Sequence, residues 1–64
     1  RKALLLVKHP SFNHGRVSFD KRMALAETLF RDCDPHTLSE ITRRAENLFW
    51  LEQSGVKLDD IDQD

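Results

Sequence analysis

Cysteine occurs once in this 64-residue chain, at Cys33; tyrosine is absent, and glycine and proline occur twice each. A single cysteine rules out an internal disulfide and fits a reducing, cytoplasmic setting. Two glycines leave no room for a phosphate-cradling loop. The longest apolar run is the five residues from Ala3 to Val7, far short of the roughly 20 that cross a bilayer and too short for a secretory signal. No membrane partner is expected. Metal chemistry is equally thin. His9, His14 and His36 are scattered, and only Cys33 and His36 are near one another, whereas zinc needs about four ligands in recognisable spacing. Asp59, Asp60, Asp62 and Asp64 lack the spacing and turn glycine of a calcium loop and read as a solvated tail. Cys33, in an apolar phase, reads as a small buried hydrophobe. A chain this short seldom builds a water-excluding pocket alone. The expectation is a non-enzymatic domain without catalytic residues, metal or cofactor.

What is present is one small domain with little stability to spare. With no disulfide or metal to reinforce it, assembly on a partner surface is the expected source of extra core. The net charge of −1 hides an asymmetry. Residues 1–31 hold seven basic and two acidic side chains, net +5; residues 32–64 hold three and nine, net −6. Such a split marks either a basic binding end with an acidic solubilising one, or two halves that attract each other.

Local signals divide the chain. Asp34 and Pro35 supply an N-cap and a first-turn proline, Thr37 and Glu40 an overlapping capping box, and Gly55 a helix stop. Between them Leu38, Ile41, Ala45 and Leu48 step along one face, and Phe49, Trp50 and Leu51 widen it, which predicts a helix over 34–54. Phe19, Met23, Ala26, Phe30 and Cys33 form a heptad-like seam, predicting a helix over 20–33 capped by Ser18 or Asp20. The alternation of Arg16, Val17, Ser18 and Phe19 predicts a short strand over 14–19. Ala3 to Val7 is too short for periodicity to separate a buried strand from one helical turn; residues 1–13 read as an N-terminal arm or an extra strand, with a turn after Pro10, and 55–64 as an acidic tail. The expected fold class is mostly α with a short β element: a strand, then a two-helix hairpin, completed by dimerisation.

That order of elements, with Thr37, Leu38, Ser39, Glu40 and Ile41 followed by Arg44, Ala45 and Phe49, resembles the ribbon-helix-helix (Arc/MetJ-type) repressors over roughly residues 14–51. The resemblance implies a homodimer whose paired strands enter the major groove of duplex DNA. His14, Arg16 and Ser18 would then face DNA, with Thr37 and the amides opening the second helix holding a phosphate. Val17 and Phe19 would point into a dimer core together with Ile41, Phe49 and Trp50. Arg16, Lys21 and Arg22 read either as part of that basic surface or as a solvated face beside a helix start. Two functions follow as expectations: a small dimeric DNA-binding transcriptional regulator, or a protein-interaction module docking on a larger partner through its apolar surface. Three large apolar residues in a row, Phe49, Trp50 and Leu51, cannot all face one small core and support the second, although closing a homodimer core with them would fit both.

Overall fold

The computed structural model of the chain describes residues 2–13 and 17–58. Helix α1 spans Lys2–Lys8, α2 Phe19–Leu29 and α3 Pro35–Gln53. Among the described residues there is no strand, so the expected strand-plus-hairpin gives way to three helices. Helix α3 is the spine, packing on both α1 and α2, which touch each other less.

The short alternating stretch has a different physical meaning from the one expected. His14, Gly15 and Arg16 lie outside the described residues; Val17 and Ser18 belong to no ladder, and Phe19 opens α2. Ser18 is extended (φ −74°, ψ 161°) because it is the N-cap of α2, and its Oγ accepts from the Lys21 amide at 3.2 Å. An isolated extended residue gains nothing without a partner strand, whereas a serine cap satisfies an amide that the first helical turn leaves orphaned.

The residues before it are helical too. In α1, Ala3, Leu6 and Val7 are buried while Leu5 is 59% exposed. That is the i, i+3, i+4 pattern of a helix, not the alternation of a strand. Alanine and leucine favour this outcome. Over residues 2–13 the arm or extra strand gives way to a helix, the alternative left open for Ala3 to Val7, followed by a turn. The turn is tied by the Phe12 amide donating to the His9 carbonyl at 3.0 Å, and it delivers Phe12 fully buried into the core.

Helix α2 stops at Leu29, short of the expected Cys33. Phe30, at φ −125° and ψ 66°, leaves the helix while its amide still donates to the Ala26 carbonyl. Pro35 disfavours a helical conformation at Asp34, and the chain uses residues 30–34 to reverse direction. Phe30 and Cys33 pack against the core from this loop. Helix α3 starts and ends as its sequence signals. Asp34 caps it, accepting from the Thr37 amide at 3.2 Å, and Pro35 follows in the first turn. At the other end Gly55 takes φ +97°. Its amide donates to the Glu52 carbonyl and that of Val56 to Leu51, the paired bonds of a Schellman motif. Leu58, in the stretch read as tail, is buried at 4% exposure.

The core is Ala3, Leu6, Val7, Phe12, Ala26, Leu38, Ala45, Leu48 and Leu58. Thr42 is buried among them, its hydroxyl donating to the Leu38 carbonyl at 2.8 Å.

Candidate interaction surface

Helix α3 has one face in the core and one in solvent. For α3 the inner face is Leu38, Thr42, Ala45 and Leu48. The opposite face presents Glu40, Arg43, Arg44, Asn47, Trp50 and Leu51, all exposed. Trp50 is 65% exposed and Leu51 41%. The Schellman motif brings Val56, 41% exposed, beside Leu51, which extends the apolar end of the face.

Several contacts order these side chains. The Trp50 ring meets Phe49 edge to face, with centroids 5.1 Å apart. Arg43 lies 6.0 Å from the centroid of the Phe19 ring. His36 Nε2 sits 2.8 Å from Glu40 Oε1, one turn away on the same helix. The outer face therefore has a basic stretch in its middle and an aromatic-aliphatic end. Arginine and tryptophan are the residue types that most often dominate protein interfaces.

Behind this face stands a polar junction centred on Arg22. Its Nε donates to the Phe12 carbonyl at 3.2 Å, and Nη1 pairs with Glu46 Oε2 at 2.7 Å. Its Nη2 donates to Asn13 Oδ1. The guanidinium also lies 4.6 Å from the Phe12 ring centroid and 5.7 Å from that of Phe49. Read in the sequence as part of a basic surface or a solvated face, Arg22 is instead turned inward, its side chain 13% exposed. Here a cation of the basic half meets a carboxylate of the acidic half.

His14 and Arg16 lie outside the described residues. Ser18 is spent on capping α2. The Thr37 amide donates to Asp34 Oδ1, so the start of α3 is already occupied by a carboxylate where a phosphate would have to sit. Of the expected interface residues, Val17, Phe19, Ile41 and Phe49 are half-buried and only Trp50 stands out from the surface. Arg43 and Asn47 were not singled out from sequence; their spacing from Trp50 at four- and three-residue steps is the signal that groups them.

No family model, curated protein or solved structure matches the chain.

Among the described residues no group of three or more His, Cys, Asp or Glu side chains could hold a metal ion. None of the described helices is long and apolar enough to cross a membrane. An open groove of about 380 Å³ lies where α2 ends and α3 begins, lined by Glu27, Thr28, Arg31, Cys33, Pro35 and Leu38. Cys33 beside it is half-buried and receives a 3.5 Å hydrogen bond from Lys2 Nζ.

Proposed function

We propose that this chain is a non-enzymatic protein-interaction module that docks through the outer face of α3. The observation that carries the reading is Trp50. A tryptophan leaving 65% of its surface in water, with Leu51 and Val56 beside it, wastes the largest apolar side chain the protein has unless another surface covers it. Its cap motifs and buried inner face hold α3 in place without help from that tryptophan, which frees the outer face for recognition. Duplex DNA reading by a two-stranded ribbon finds no such support: Ser18 and Phe19 go to starting α2, and the Asp34 carboxylate already accepts from the Thr37 amide at the start of α3. The single half-buried thiol suits a reducing compartment such as the cytoplasm.

The test is site-specific photo-crosslinking in the cells that express the protein. Trp50→p-benzoylphenylalanine should give one discrete covalent adduct, and the same substitution at exposed Asp20 on α2 should give none. The adduct should disappear when Arg44→Glu is added. No adduct from position 50 removes the reading.

A further inference from the structure

The outer face of α3 has an order that bears on what covers it. Asn47 stands near its middle. Arg43 and Arg44 lie four and three residues before it, and Trp50 and Leu51 three and four after it. In an antiparallel pair of identical helices crossing at Asn47, residue i of one lies about level with residue 94 − i of the other, and the two-fold axis brings the same flank of both helices together. Arg43 and Trp50 share one flank and Arg44 and Leu51 the other, so Arg43 meets Trp50 of the other copy and Arg44 meets Leu51, and both pairings occur twice. The two asparagine amides face each other at the axis, each offering a donor and an acceptor.

The pairing is chemically complementary throughout. A guanidinium over an indole face is the most favourable cation–π pair among protein side chains. The aliphatic stem of Arg44 can lie along Leu51 while its charge stays in water. A parallel pair would instead set Arg43 and Arg44 against their own copies, juxtaposing like charges that cost stability. We infer that the outer face of α3 binds a second copy of this chain, in an antiparallel two-fold pair centred on Asn47. The inference rests on the docking reading above and names the partner.

Sedimentation equilibrium on the full chain tests it, with the sole tryptophan, Trp50, as a built-in reporter. The expected mass at about 100 µM is twice 7.5 kDa, and the tryptophan emission moves to shorter wavelength as concentration rises. Trp50→Ala and Arg43→Glu should each raise the dissociation constant at least about tenfold while leaving the far-ultraviolet dichroism of the helices unchanged. Register is tested in a Cys33→Ser background. Asn47→Cys should close a disulfide with its own copy under mild oxidation. Glu40→Cys should not, because the two copies of residue 40 would lie about 21 Å apart along the helix axis, whereas a disulfide needs Cα atoms within about 7 Å. A monomer persisting to about 1 mM, or Glu40→Cys linking as readily as Asn47→Cys, overturns the proposal. Its failure is separable from that of the docking reading. A monomeric chain whose residue 50 still crosslinks to a different protein loses only the second copy, and a monomer with no adduct loses both.

Discussion

Helix α3 carries its boundaries in its own sequence, with Asp34 and Pro35 at one end and Gly55 at the other, whereas residues 2–13 carry almost none. Helix α1 is seven residues long, with no acidic residue in its first turn. A helix that short is unstable alone. What holds the segment is tertiary: Ala3, Leu6, Val7 and Phe12 in the core, and Arg22 reaching from α2 to the Phe12 carbonyl and Asn13. The lesson is that one part of this molecule is fixed by local chemistry and the other by what it is packed against. The two should fail differently when perturbed.

The largest expected effect is at Phe12, the bulkiest fully buried side chain. Phe12→Ala should cost about 3–5 kcal/mol. A chain of this size has roughly 3–10 kcal/mol in total, so the variant should lose a large part of its stability and melt at least about 12 °C below the parent by circular dichroism. Phe12→Leu should retain a cooperative melt at lower temperature. If Phe12→Ala melts within a few degrees of the parent, residues 2–13 are not part of the cooperative unit and the contrast with α3 collapses.

Next comes Arg22. Arg22→Ala removes the donor to the Phe12 carbonyl and leaves Glu46, 28% exposed, without its cation. The expected loss is about 2 kcal/mol, the lower part of the range for a charge left without its partner, because Glu46 keeps some contact with water. A double-mutant cycle with Glu46→Gln should return about 1 kcal/mol of coupling. Arg22→Lys should recover less than half, since an ammonium cannot serve three acceptors in fixed directions. Additive effects of Arg22→Ala and Glu46→Gln would mean that the pair does not link the two halves.

The same contrast explains what could be read from the sequence. Helix α3 was legible because Asp34, Pro35 and Gly55 act within a few residues of themselves, and the spacing of Leu38, Ala45 and Leu48 needs no partner to be seen. Thr42 occupied the same inner phase unseen, because its hydroxyl is satisfied by the Leu38 carbonyl one turn back. Phe12 and Leu58 are lone apolar residues in polar surroundings, and periodicity has nothing to say about a single residue. The strand expected over 14–19 failed for a related reason. Four alternating residues describe a strand and a helix start equally well, and only a partner strand, which the described residues lack, would favour the first. The outer face of α3 was legible only in Trp50 and Leu51. Its polar members became meaningful once α3 was known to have one side in solvent.

Smaller effects probe α3's own ends. Gly55 sits at φ +97°, and an added Cβ would meet nothing within 4 Å. The cost of Gly55→Ala is therefore conformational only, about 1 kcal/mol. That corresponds to a melting temperature lower by roughly 4–8 °C in a domain of this size. Gly55→Asn should cost less, because asparagine tolerates this backbone region better. Equal losses for alanine and asparagine would show that the Schellman turn is not what limits this end.

The smallest effect belongs to the other end and appears only in acid. Hydrogen bonds from the Thr37 side chain, and then from its backbone amide, hold the Asp34 carboxyl below its ordinary value, with His36 adding in the same direction. A carboxylate whose folded-state pKa is depressed stabilises the protein fully above the unfolded value of about 3.9. That contribution is lost as pH falls from there through the lower folded value. Asp34→Asn keeps an oxygen that can cap the helix but removes the titration. Its melting temperature should therefore lie close to that of the parent at pH 6 and fall less steeply between pH 4.5 and pH 2.5. Parallel acid profiles would assign the loss to other carboxylates, and would mean that this end of α3 is held by Pro35 and the buried inner face, not by the charge on its cap.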